Sequence, residues 1–318
     1  MYLDFYHLKR EPFQVTPDPE FLYLSPSHKE ALAAIVYGVE QRKGIIAVTG
    51  EVGTGKTTIL RYYLDKADPE RLKAAHVFNP AVSFPFLLQT IFLELGIPFE
   101  SGETGGMVER FHRYLIEEYE KDHTVVLFID EAQNVPVETL ENLRMLSNLE
   151  SSEDKLLQIV LCGQTELESL LDRNELRQLK SRIAVRATIS PLSRKESLAY
   201  IRHRLSKSSR KGFGIFTRAA LERIVRKAKG NPRMINILCD NALITGYGYD
   251  EKSVGFRTVG EIIADMEGRS PSGVRVWALA SIGLFLFLAA GFWVYARYPS
   301  APPQSARNPV VIQLESRR

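Results

Sequence analysis

Residues 50–58 read GEVGTGKTT, and the run that leads into them, GIIAVTG at 44–50, is apolar and rich in β-branched side chains. The first eight residues match the pattern G-x-x-x-x-G-K-[ST] at every position. The residues after them, TTILRYYLDKA, have helical spacing, so the motif stands between a strand and a helix as its mechanism requires. Glycines let consecutive backbone N–H groups turn inward around a phosphate, and the helix N-terminus adds its unpaired amides and positive dipole end. The phosphate cradle therefore comprises Gly50, Glu51, Val52, Gly53, Thr54, Gly55, Lys56, Thr57 and Thr58. Lys56 is expected to neutralise β/γ oxygens, and the Thr57 hydroxyl to ligate Mg²⁺, with ATP as the nucleotide.

A site of this kind needs an acidic residue at the end of another strand to hold the hydrated cation. VVLFIDE supplies Asp130 after five apolar residues, and Glu131 follows it. The pair divides the work: Asp130 serves the metal, and Glu131 polarises the attacking water as general base. Gln164 closes another apolar run, LLQIVLCGQ. If that strand lies between the first and third, Gln164 points at the γ-phosphate. Asn79, at the end of AAHVFNP, is placed to hold Glu131 when the site is idle.

Strands are expected at 44–50, 74–80, 124–133, 156–164 and 185–192, alternating with helical patterns that include 28–41 and 107–122. Continuous apolar strands between helices indicate a parallel sheet covered on both faces. After Pro191 the pattern turns wholly helical, interrupted at KGFGIFT and GNPR. The fold class is thus α/β: a P-loop NTPase with a parallel five-stranded sheet, a small C-terminal helical lid and one transmembrane helix. The expected boundaries are a 1–43 N-terminal segment, a 44–192 nucleotide-binding domain, a 193–268 lid, a 269–275 linker, a 276–296 span and a short disordered 297–318 tail.

The span, VWALASIGLFLFLAAGFWVYA, carries no charge over its length. At ~1.5 Å per residue it reaches about 31 Å, the thickness of a bilayer's hydrocarbon. Trp277, Trp293, Tyr295 and Tyr298 lie towards its ends, at headgroup depth. The start, MYLDFYHLKREPF, lacks a basic stretch followed by an apolar one, so no secretory signal is expected. A cytoplasmic ATP site then implies an orientation, with the catalytic domain inside, the C-terminus outside and a single pass through the membrane.

Charge is unevenly spread. Residues 194–233 hold 13 Lys or Arg against Glu196 and Glu222, a net +11, while residues 1–296 as a whole are neutral. Such a block binds phosphate groups, nucleic acid or anionic lipid, or forms a solvated helical face. The two cysteines, Cys162 and Cys239, have no CxxC or His cluster around them, which gives no support to a structural metal or a disulfide framework.

GEVGTGKTT, FIDEAQ, LCGQTEL, LKSRIAVRATISPLS and GNPRMINILCDNAL, together with the opening FYHLKREPFQVTPDPEFLYLSPSHKEAL, resemble a AAA+ ATPase of the ExeA/GspA type over roughly residues 1–248. Members of that group accompany type II secretion, pilus assembly and exopolysaccharide/exosortase loci, and more distant kin include the MuB and TniB transposition ATPases. The resemblance implies a homo-oligomer, a hexameric ring or smaller, working with secretion-system or pilus envelope proteins; nucleic acid is the partner of the alternative reading. On the same resemblance the membrane is a bacterial inner membrane and the outer side the periplasm. It makes Gln164 the sensor 1 residue, Arg233 of GNPR the sensor 2 residue, and Arg182 of LKSRI the finger presented to a neighbouring subunit's nucleotide, with Arg177 and Arg186 as competitors. ExeA-type members carry a peptidoglycan-binding domain beyond the span, where this chain has residues 297–318.

Overall fold

The computed structural model describes residues 2–16, 18–78, 80–98, 103–209 and 214–268. The chain forms two compact units, Met1–Ile263 and Ala264–Arg318; of the second, residues 264–268 are described. The expected span at 276–296 and the tail lie outside the described residues, as does Asn79. Among the described residues no helix is long and apolar enough to cross a membrane.

Five strands make one sheet: β1 (Ile45–Gly50), β2 (Leu72–Val77), β3 (Thr124–Ile129), β4 (Leu157–Gly163) and β5 (Ile183–Ile189). All pairings are parallel, in the order β2-β3-β4-β1-β5. Strand β4 therefore lies between β1 and β3, and the C-terminal ends of β1, β3 and β4 share one edge. Crossing helices explain why every pairing is parallel: α2 (Pro26–Glu40), α3 (Lys56–Lys66), α4 (Phe84–Leu95), α5 (Thr104–Glu120), α6 (Val137–Leu146), α7 (Glu166–Leu171) and α8 (Arg177–Arg182) connect or flank the strands, while α1 (Tyr2–Phe5) opens the chain.

The two-residue alternation of a strand divides each apolar run between two cores. Ile45, Ala47, Leu127 and Ile159 face one way, onto Leu88, Phe92, Phe111 and Leu143. Ile46, Val48, Phe128 and Val160 face the other, onto Ile35, Ile59 and Leu60. That double burial is why the strands read as unbroken apolar stretches rather than alternating ones. Truncating a fully buried Phe128 to Ala costs about 3–5 kcal/mol at such a position.

The lid comprises α9 (Arg194–Ser208), α10 (Arg218–Ala228), α11 (Pro232–Gly248) and α12 (Phe256–Met266). Ser193 begins α9 with a capping box, its hydroxyl accepting from the Glu196 N–H while the Glu196 carboxylate accepts from the Ser193 N–H. The core of the lid also takes in Tyr6, Leu8 and Phe13 from the N-terminal segment, packed with Ile201, Ile224, Leu238 and Val259. The start of the chain thus folds onto the lid before α2 enters the sheet layer.

Three differences from the sequence pattern have local causes. The second strand runs Leu72–Val77, earlier than 74–80, because Asp68 turns the chain by accepting from the Arg71 and Leu72 N–H groups. Helix α5 starts at Thr104, taking Gly105 and Gly106 into its first turn, where neither has a neighbour within 4 Å of a notional Cβ. The third strand stops at Ile129, since Glu131 adopts φ 52° and turns the chain out of the sheet.

Candidate functional site

The loop after β1 holds the left-handed conformations that its glycines allow, with φ 79° at Gly53 and 102° at Gly55. A Cβ at Gly53 would stand 2.7 Å from Asn231 Oδ1 and 2.8 Å from Arg233 Cβ, so the lid leaves room for nothing larger. Lys56 is buried, its ammonium donating to the carbonyls of Gly50 (2.9 Å) and Glu51 (3.0 Å). Among the described residues no carboxylate is hydrogen-bonded to it. A cation held only by loop carbonyls can transfer its hydrogen bonds to phosphate oxygens with little rearrangement.

Beneath the loop, Thr57 Oγ1 donates to Asp130 Oδ2 at 2.7 Å, joining the start of α3 to the end of β3. Asp130 is buried, and its Oδ1 accepts from the Glu131 N–H at 2.9 Å. A hydroxyl and a carboxylate at contact distance are hard oxygen donors suited to Mg²⁺, which binds through one or two protein groups plus phosphate and water. Among the described residues no cluster of three or more His, Cys, Asp or Glu could hold a metal alone.

Glu131 sits in the left-handed region, uncommon for a non-glycine residue and often found at functional sites. Its Oε2 accepts from Gln133 Nε2 at 2.6 Å and Gln164 Nε2 at 2.9 Å. Gln133 Oε1 in turn accepts the Gln164 N–H at 3.0 Å. Burial raises the Glu131 pKa, but these two amides and the nearby Lys56 charge outweigh it, and the carboxyl ends below its ordinary range. Glu131 is thus ionised and tethered by two amides. Gln164, at the end of β4, reaches the site through Glu131.

The lid closes the other side. Asn231 Nδ2 donates to the Val52 carbonyl at 2.6 Å, and the Arg233 N–H donates to the Gly53 carbonyl at 3.3 Å. Asn231 Oδ1 also caps α11 by accepting from the Met234 N–H. Its side chain therefore joins the lid to the phosphate loop. Arg233 lines a cavity of about 450 Å³ together with Lys56, Thr57 and Glu131. The far wall of that cavity is apolar and aromatic, formed by Val15, Phe21, Leu22, Tyr23, Leu192 and Tyr200, as a nucleobase requires.

A buried polar network of Arg204, Tyr200 and Asn236 forms part of the same lining. Arg204 donates to the Pro12 carbonyl, to Tyr200 Oη (2.9 Å) and to the Gln14 carbonyl (3.3 Å), and lies over the Phe21 ring. Tyr200 Oη donates to Asn236 Oδ1 at 2.8 Å, and Asn236 Nδ2 donates to the Gln14 carbonyl at 3.1 Å. His28, buried under the loop, holds the Thr54 carbonyl at 2.9 Å through Nε2 while Nδ1 meets Ser25 Oγ at 2.5 Å. Burial pushes the His28 pKa down. The neutral ring accordingly donates from Nε2 and accepts at Nδ1.

Arg182 is elsewhere. It ends α8 at the foot of β5, where Ile183 pairs with Ile45, whereas Ile189 pairs with Gly50 at the phosphate loop. At ~3.3 Å per residue those ends are about 20 Å apart, so Arg182 cannot reach this chain's own loop. It is exposed, as is Arg177. Arg186 donates to the Lys180 carbonyl at 3.1 Å and so is engaged within its own chain.

The structure therefore gathers Lys56, Thr57, Asp130, Glu131, Gln164 and Arg233 around one loop and leaves Arg182 outside. Four contributors escaped the sequence reading: His28, Gln133, Asn231 and Arg204. Two had local signals. Ser25 and His28 stand three apart around a proline, and Asn231 precedes a proline at a helix start, both N-terminal capping patterns.

A family model described as an AAA domain matches residues 39–171. A curated relative, General secretion pathway protein A of Aeromonas hydrophila, is 34% identical over 317 residues, covering 98% of this chain. The chain spans 58% of that relative's length. Among solved structures, the ORC2 protein of Aeropyrum pernix is 18% identical at TM-score 0.62, covering 81% of this chain and 72% of its own. Drosophila ORC bound to DNA is 20% identical at TM-score 0.58, covering 85% and 68%. At these identities the solved structures speak for the fold alone. Domain match, curated relative and sheet order agree in supporting a AAA+ P-loop ATPase of the ExeA/GspA type.

Proposed function

We propose that the chain is a Mg²⁺-dependent ATPase, anchored in a bacterial inner membrane by residues 276–296, that assembles or regulates an envelope secretion or export apparatus. The observation that carries the enzymatic part is the convergence of Lys56, Thr57, Asp130 and Glu131 at the edge shared by β1 and β3. Lys56 moves from the Gly50 and Glu51 carbonyls to β/γ oxygens. Thr57 and Asp130 hold Mg²⁺, which screens phosphate charge when bound. Glu131, already ionised, orients the attacking water and takes its proton once it leaves Gln133 or Gln164. Gln164 and Arg233 then face the γ-phosphate.

Arg182 acts in trans on a neighbour's nucleotide, which supports a ring or smaller homo-oligomer. The export role rests on the curated relative's printed name, and the anchor on the uncharged apolar run. The second reading, a DNA-binding ATPase, rests on the net +11 of residues 194–233. ATP hydrolysis by the full chain in membranes, with and without Mg²⁺, tests the proposal. Arg182→Ala is expected to slow hydrolysis by about 10³–10⁵-fold and to leave nucleotide binding intact. Hydrolysis unaffected by Arg182→Ala would remove the trans arginine. Salt-dependent affinity for duplex DNA would instead favour the second reading.

A further inference from the structure

A second cavity, of about 500 Å³, opens on the lid between α9 and α10. Its floor is buried and mostly apolar: Leu192 and Val225, with Ser197 turning its hydroxyl to the Leu192 carbonyl at 3.4 Å. Its rim is cationic: Arg194, Arg226 and Lys229, all exposed, against Glu222. Glu222 is already taken, accepting from Arg194 Nε at 2.8 Å and Nη2 at 2.5 Å. Among the described residues no carboxylate is hydrogen-bonded to Arg226 or Lys229, and the rim carries three cations against one anion, a net +2.

From this rim and floor we infer that the cavity binds a phosphate group carried on an apolar body, with an acidic phospholipid headgroup and its glycerol as the occupant. The apolar floor selects against inorganic phosphate, which offers it nothing to bury, and the cationic rim selects against a neutral amphiphile. The choice of lipid as source rests on the proposed membrane anchor; the site itself does not.

The cavity also communicates with the nucleotide site. Leu192 lines both cavities, and its N–H donates to the Gly230 carbonyl at 2.8 Å. A Cβ on Gly230 would stand 2.1 Å from the Leu192 carbonyl oxygen, so the two strands of backbone are in contact. The next residue, Asn231, holds the phosphate loop through Val52. An occupant fixing Leu192 and Gly230 therefore bears on the loop, and by linkage nucleotide and lipid must change each other's affinity by the same factor.

The test uses the full chain in neutral detergent, titrated at low salt with water-soluble dihexanoyl phosphatidylglycerol, dihexanoyl phosphatidylcholine and inorganic pyrophosphate. Phosphatidylglycerol is expected to bind and phosphatidylcholine not. The double substitution Arg226→Gln, Lys229→Gln should weaken binding by about thirtyfold, two surface cations' worth, whereas Glu222→Gln should tighten it. Equal binding of the two lipids, or an unchanged affinity in the double variant, overturns the site. Displacement of phosphatidylglycerol by pyrophosphate at equal concentration, with the nucleotide site kept full by saturating ADP and Mg²⁺, overturns the assignment to lipid. Because these probes are soluble, failure of the chain to stay in membranes would sink the anchor and leave this result standing.

Discussion

The two ends of the nucleotide cavity are built differently. At the phosphate end, Lys56, Thr57 and the loop glycines come from nine consecutive residues, and Asp130 joins them from the next strand but one in the sheet. At the base end, a wall of N-terminal and lid residues is held by Arg204, Tyr200, Asn236 and the Gln14 carbonyl, contacts that span 190 and 222 positions in the chain. The phosphate end is fixed by backbone conformation and by the rigid sheet. The base end is fixed by buried side-chain hydrogen bonds between segments that meet only after folding. The first should tolerate nothing chemically and the second should trade affinity against stability.

Substitution at the phosphate end should produce the largest effect. Lys56→Ala removes the ammonium hydrogen-bonded to the Gly50 and Glu51 carbonyls and is expected to lower hydrolysis by about 10²–10³-fold, with an unfolding midpoint close to that of the parent chain. A large loss of stability would contradict the separation of the two ends. At the base end, Tyr200→Phe strips a donor and acceptor shared by Arg204 and Asn236. Leaving buried partners unpaired costs about 1–3 kcal/mol, read in urea unfolding, with weaker ATP binding and a nearly unchanged rate at saturation. A variant as stable as the parent would show that the network does not join the N-terminal segment to the lid.

The smallest effect is on pH dependence. Burial depresses the pKa of His28, of His76 and of His203. Each is neutral in the folded chain at a pH where the unfolded chain already binds a proton. Stability from these groups is therefore present above the ordinary imidazole value of about 6.5 and is lost as pH falls below it towards their lowered folded values. Thermal unfolding between pH 7.5 and about 5.5 should show this decline, and His28→Asn should flatten part of it. A decline of the same depth in that variant would place the titration in His76 and His203 alone.

The same contrast explains what was legible in the sequence. The phosphate loop, Asp130 and Glu131 could be read because their chemistry is local and their positions follow from strand ends. The parallel character of the sheet followed from the unbroken apolar strands, whereas its order, and with it the place of Gln164 between β1 and β3, came only from the structure. Gln133 was hidden because its contact depends on the left-handed turn at Glu131, which no composition signals. Arg204 read as one more member of the basic run at 194–233, yet it is buried against Phe21 and two carbonyls. Leu72 and Lys73 fell outside the expected second strand because the turn at Asp68 fixes its start.

The central claim is that Glu131, ionised and tethered by Gln133 and Gln164, activates the water that attacks ATP. Single-turnover hydrolysis of ATP with Mg²⁺, comparing the parent chain with Glu131→Gln, tests it most directly. Unchanged ATP affinity and a rate lower by about 10²–10⁴-fold are expected. A Glu131→Gln chain that hydrolyses ATP at the parent rate would contradict it.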